Sequence, residues 1–262
     1  MADGEEVAAP SGTAPPLWRR ALPWVIAIGL LVVVFLRVDV GEVLTRMGDV
    51  PLPLYCGFVA VSLISNLTLD SLASWKVYLG VAPKVTFREL FVVRGASYLP
   101  ATINFHVGQA YLTYLLSRGH QVALSRVAGA TLLSYGTFFG GVIAVTAVAL
   151  PLAWVGAAGG ATGVLEWAPS YIGLLVVAGL LYLVVLRLNP AFLRERSLLA
   201  PLFAAGPLGH MRLLAWRLPY VVVLVAQLWG AYAFFGVSLP AGAALVLMPM
   251  VLLVSALPIT PQ

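Results

Sequence analysis

Apolar residues in this chain come in long blocks. They occupy about residues 54–73, 127–150, 170–186, 218–237 and 241–257, each close to the ~20 residues a helix needs to cross a bilayer core. An earlier block, 22–36, follows Arg19 and Arg20 in the manner of a signal peptide. No small-residue cleavage site follows it; Arg37, Val38 and Asp39 come next, so the block reads as an uncleaved first helix. The arginine pair lacks the remainder of a twin-arginine export signal.

The segment over residues 90–116 breaks the pattern. Arg94, Asn104, His106 and Gln109 interrupt its apolar positions, together with Pro100 and Gly108. Its topology follows from charge placement. If it enters and leaves by one face and the N-terminus is cytoplasmic, every Lys and Arg except Arg37 and Arg46 falls on the cytoplasmic side, as the positive-inside rule favours. A helix broken near Pro100 frees backbone groups that lipid cannot satisfy, so it belongs in protein or beside water. A re-entrant hairpin meets both conditions, and two short helices would keep the same parity.

Composition narrows the class. The 262 residues are 61% hydrophobic and 10% charged, where soluble domains run at about 45–50% and about 25%. A soluble globule is excluded, and the polar loops are too short to house one. The expected fold is therefore all-α: a polytopic membrane protein with about six spanning helices plus a re-entrant hairpin. Residues 1–16, with Asp3, Glu5 and Glu6 among Ala, Gly and Pro, read as a disordered tail, and 17–262 as one integral membrane domain. The lone Cys56 excludes an intramolecular disulfide and a CxxC site. The net charge of +5 is accounted for by orientation, and no soluble basic module offers itself to nucleic acid.

Few residues can carry chemistry. In the second span Ser62, Ser65, Asn66, Thr68, Asp70 and Ser71 form a polar series, and an intramembrane carboxylate is costly enough to suggest function. Asp70 also stands a turn or two from Lys76, where it could simply be solvated or paired. In the hairpin segment Arg94, Ser97, Thr102, Asn104, His106 and Gln109 would suit a cavity for a polar lipid headgroup. Arg94 could take a phosphate with its donor fork, or these residues could only satisfy the broken backbone. His106, His120 and His210 match no metal-ligand spacing, and no nucleotide loop or nucleophile elbow appears. Neither metal nor cofactor is expected, and an autonomous enzyme is disfavoured. Trp18, Trp24, Trp75, Trp154, Trp167 and Trp216 fall near proposed span ends, as interfacial anchors do.

Several of these residues carry a resemblance. Ser74, Trp75 and Lys76, then Leu99, Pro100, Asn104 and Gly108, and finally Leu257, Pro258, Ile259, Thr260 and Pro261 resemble motifs of the flippase-like membrane domain of lysylphosphatidylglycerol synthases. The resemblance covers most of residues 54–262. It implies two LP-containing re-entrant elements related as inverted repeats, a known transporter design, with the second cut short where the chain stops at Gln262. It also shows departures: the family has Glu where this chain has Gln109, an Arg is missing near Leu112 and Thr113, and a charged pair is missing around Ser134 to Thr137.

Three functions follow as expectations. The first is binding and translocating or presenting a polar, anionic membrane phospholipid or lipid-linked substrate, with Asp70, Arg94, Asn104, His106 and Gln109 as the lipid-binding residues. The second is a membrane subunit holding the lipid acceptor for a soluble transferase partner. The third is a structural membrane protein whose polar residues join helices.

Overall fold

In the computed structural model the described residues are 28–29, 32–33, 35–36, 39–156 and 162–255. The tail expected over 1–16 and the second LP segment, with Leu257, Pro258, Thr260 and Pro261, lie outside them, as does most of the first apolar block. The chain divides into two compact units, residues 1–45 with 257–261, and 46–256 with 262. In the first, the described positions from 28 to 36 are helical and carry exposed Ile28, Val32, Val33, Phe35 and Leu36. Helix α1 (Val40–Gly48) starts where the Asp39 carboxylate accepts the N–H groups of Gly41 and Glu42, a capping arrangement that satisfies orphan donors.

The second unit is built from α2 (Leu52–Tyr78), α3 (Phe87–Ala101), α4 (Phe105–His120), α5 (Leu124–Gly156), α6 (Thr162–Leu188), the single turn α7 (Ala191–Arg194), α8 (Ala200–Phe234) and α9 (Ala241–Ser255). All elements among the described residues are helices. Four of them, α2, α5, α6 and α8, contain stretches long and apolar enough to cross a membrane, and α9 is a shorter apolar helix. On α2 none of the apolar window is buried within the protein. Leu52, Leu54, Val61, Leu63 and Ile64 project outward, an arrangement tolerable in lipid and not in water. The protein is thus an all-α polytopic membrane protein.

Residues 87–120 form a helical hairpin. Thr86 caps α3, its hydroxyl accepting the Glu89 N–H, and Asn104 caps α4, its side chain accepting the His106 N–H at 2.8 Å. The break falls at Thr102–Asn104, just past Pro100, which occupies the last turn of α3. That turn closes through the Thr102 N–H to Tyr98 and Leu99 carbonyls. At the open end His120, in the last turn of α4, meets Glu89, in the first turn of α3, at 2.9 Å. Gly108 lets the two helices touch: a Cβ there would lie 2.5 Å from the Ala101 Cβ and 2.7 Å from the Ser97 carbonyl oxygen. With 15 and 16 residues, each arm is only ~22–24 Å long.

Helix α8 begins well before the apolar block at 218. Its first part is held by packing rather than by hydropathy, because Leu202, Ala205 and Leu213 rest on the core formed by Val77, Tyr78, Leu90, Leu112, Leu116 and Val127. Gly206, at φ 60° and ψ 178°, breaks this part ahead of Pro207, where a residue with a Cβ would be strained. His210 Nδ1 donates to the Gly206 carbonyl at 2.7 Å. Its Nε2 then accepts from the Tyr182 hydroxyl at 2.9 Å, tying the break to α6. A second core gathers Val142, Ile172, Val221, Val225, Met248 and Leu253 from α5, α6, α8 and α9. Helix α5 passes through both cores, and Ser134 and Tyr135 lie along it between them, before Phe138, which packs against the second.

Helix α5 also meets the connection before α8 very closely. A Cβ on Gly129 would fall on the Leu198 carbonyl oxygen and 2.9 Å from Pro201, and the hydroxyls of Ser125 and Ser197 are hydrogen-bonded nearby at 2.5 Å. Gly129→Ala is therefore expected to cost about 1–3 kcal/mol through overpacking, read as a lowered melting temperature in detergent. Gly136→Ala, where a Cβ meets nothing within 4 Å, should leave the melting temperature unchanged or raise it.

Candidate functional site

Asp70, in the second half of α2, is 3% exposed. Its Oδ2 accepts from Arg94 Nε at 2.6 Å and lies 2.5 Å from Arg94 Nη2. Its Oδ1 accepts from Arg217 Nη1 at 2.5 Å. One carboxylate thus holds two guanidinium groups, from the hairpin and from the middle of α8. A charge removed from water is very costly unless it is paired and hydrogen-bonded, which explains why most of the remaining donors are also engaged. Arg94 Nη1 donates to the Gln109 side-chain oxygen at 2.9 Å, and Arg217 Nη2 donates to Ser134 at 2.6 Å and Ser74 at 3.2 Å.

The group opens on a cavity of about 260 Å³ lined by Asp70, Arg94, Gln109, Ser134, Tyr135, Arg217 and Tyr220, with Phe105, Phe138 and Leu252 supplying apolar wall. Thr131 joins the lining and belongs to a hydroxyl chain, 2.9 Å from Tyr78 on one side and 2.9 Å from Thr113 on the other. This chain fixes α2, α4 and α5 against one another. Two cations and one anion leave one positive charge in excess. Among the described residues, Arg217 Nε and the Tyr135 hydroxyl are buried without a hydrogen-bond partner. The lining itself brings positive charge from the two guanidiniums together with the Gln109 amide and the Tyr220 hydroxyl. That chemistry suits a phosphate or carboxylate.

Of the residues proposed from sequence, Asp70, Arg94 and Gln109 come together here. Asn104 instead caps α4, and His106 is exposed, with its ring 5.9 Å from that of Phe105; neither lines the cavity. Trp75 donates its indole N–H to the Val85 carbonyl at 2.9 Å, and the Lys76 ammonium sits between the rings of Trp75 and Trp216 at 4.3 and 4.6 Å. These two residues brace the α2–α3 connection rather than the cavity. Leu99 is 76% exposed, while Gly108 serves the hairpin contact. Arg217, counted with the loop cations because it stands just before an apolar block, is instead 2% exposed and inside the bundle. Its apolar neighbours Leu213, Leu214, Ala215 and Trp216 were the available sign that the helix continues upstream. Ser134 and Tyr220 were missed because a serine or a tyrosine in an apolar helix has no distinctive spacing.

Comparison with protein-family models, with curated proteins and with solved structures finds no match to this chain. The site must therefore be read from its own geometry.

Ser134→Ala should cost about 1.5–3 kcal/mol, since it removes a hydrogen bond to a buried charged group. Asn104→Ala should cost about 0.5–2 kcal/mol as a lost cap without changing what the cavity binds. Thermal unfolding of the two variants in detergent, alongside lipid retention by native mass spectrometry, checks both expectations.

Proposed function

We propose that this protein binds and translocates, or presents, a polar anionic lipid within the cytoplasmic membrane, with its N-terminus on the cytoplasmic side, as a member of the flippase-like family that its motifs resemble. The observation that carries the reading is a cationic cavity inside a bundle of membrane helices. A bilayer offers few singly anionic molecules with an apolar body, and lipids are the abundant ones. Packing alone would not require a surplus buried charge, which destabilises the fold unless something neutralises it. A Glu at position 109, as in the resembled family, would cancel the surplus, whereas Gln109 accepts from Arg94 and adds no charge.

Orientation rests on the loop cations. Lys84, Arg88, Arg118, Arg126, Arg187, Arg194, Arg196 and Arg212 fall on the cytoplasmic side if the α3–α4 hairpin enters and leaves by one face. Its short arms fit such a re-entrant path.

Reconstitution into vesicles with a fluorescent anionic lipid, followed by quenching of the outer leaflet, tests the function. Wild-type protein should accelerate exchange over empty vesicles, and Arg217→Gln should reduce the acceleration at least about tenfold at equal protein content. Wild-type vesicles that exchange no faster than empty ones would overturn translocation. A purified protein that also retains no anionic lipid would overturn presentation as well.

A further inference from the structure

The residues that line the cavity are buried or half-buried, with one exception. Among the described residues Phe105 alone of the lining is exposed, at 38%. The mouth of the cavity therefore lies at the tip of the α3–α4 hairpin. Phe105 is the first residue of α4, directly past the break at Thr102–Asn104, and its neighbours Ile103, His106 and Val107 are exposed as well. Its ring packs edge to face on Tyr135 of α5, with centroids 5.8 Å apart. Gln109 follows one helical turn later on the same face and holds Arg94 at 2.9 Å. From the mouth inwards the order is thus Phe105, Gln109, Arg94 and Asp70. The other end of the hairpin is closed. Leu90, Leu112 and Leu116 are buried there in the first core, and His120 meets Glu89 across the base.

We propose that Phe105 is the gate of the cavity, an aromatic wall that swings aside at the hairpin tip to connect the cavity with the apolar interior of the membrane, with the Thr102–Asn104 break as its hinge. The inference rests on the proposed function only for what passes the gate. Hinges are commonly a few element-terminal residues that absorb a change in φ and ψ, and Asn104 is such a residue, extended at φ −160° and ψ 129° between two helical arms. Little holds the gate shut. The Asn104 side chain ties the break to the His106 N–H, and the Phe105 ring touches Tyr135, contacts that are individually weak. The ion cluster lies at least a helical turn deeper and need not move when they part. On the re-entrant path the tip sits within the bilayer, where exposed Leu99, Ile103 and Val107 suit lipid. An apolar ring over such a mouth admits hydrocarbon and holds back small ions, so it selects for amphiphiles over free polar solutes.

Cysteine accessibility reads the gate without requiring a ligand. In a Cys56→Ser background, Leu252→Cys places a single thiol in the cavity wall. Its modification by N-ethylmaleimide is followed by intact mass on full-length protein in vesicles. Phe105→Ala should speed modification severalfold and Phe105→Trp should slow it. Val107→Ala, exposed on the same turn and outside the lining, should leave the rate unchanged. Asn104→Ala, which releases the hinge, should speed it as Phe105→Ala does, and a wild-type rate there overturns the hinge. Rates indifferent to residue 105 overturn the gate, as does a thiol never modified in folded Phe105→Ala protein. If Phe105→Ala does not fold, the tryptophan variant decides, and an unchanged rate in it overturns the gate. Exchange of the fluorescent anionic lipid should follow the same order, while the amount of lipid retained at equilibrium stays constant, since a gate alters rates and not affinities. A purely structural role would change retention and stability together. Modification that follows residue 105 in a protein that exchanges no lipid overturns translocation and keeps the gate. Exchange that proceeds while modification ignores residue 105 overturns the gate alone.

Discussion

Asp70 is the point at which three separate parts of the chain are forced to agree. A carboxylate in the apolar body of α2 cannot remain unpaired, and the two guanidiniums that answer it come from two different elements, the hairpin and α8. Arg94 fixes the hairpin against α2, and Arg217 fixes the middle of α8 against both. The Gln109 amide oxygen and the Ser74 and Ser134 hydroxyls then take further donors. The geometry around the carboxylate thus decides where the cavity is, how large it is and what sign of charge it presents. Removing one member is worse than never having had the group, because the survivors stay buried without compensation.

Much of the fold was legible in the sequence because hydropathy over twenty residues is a coarse and robust signal. The blocks at 54–73, 127–150 and 170–186 lie within α2, α5 and α6. The block at 218–237 marked only the second part of α8. Its first part mixes glycine, proline and charged residues, and it is helical because Leu202 and Leu213 find a core to cover, a tertiary cause that no local pattern carries. The same cause hid Arg217. Positive charge at the edge of an apolar block is ordinarily a loop residue, and here a further stretch of helix carries that edge into the bundle.

Asp70, Arg94 and Gln109 were visible because a charge or an amide within an apolar run is expensive and therefore informative. Asn104 and His106 were chosen on the same ground and fall elsewhere. Polarity at a helix break has two uses, and the backbone of α4 claims Asn104 for its first turn. Which use applies depends on where the break points, something that sequence does not record. Tyr135 and Ser134 carry no such signal, and only the approach of neighbouring helices to α5 gives them a role.

The three members of the ion cluster also differ in when the ribosome makes them. Arg94 follows Asp70 by 24 residues, whereas Arg217 follows it by 147. At 5–20 residues per second that second interval is roughly 7–30 s. Throughout it the carboxylate must be tolerated in a half-built bundle, with Arg94 of the nearby hairpin as the guanidinium already made. The hairpin is thus an early companion that lets α2 settle in the membrane, and the arrival of α8 closes the assembly by bringing the second guanidinium to a carboxylate already in place. Biogenesis of this protein would then end with the same contact that completes its cavity, so that a chain interrupted before Arg217 has no surplus charge to offer.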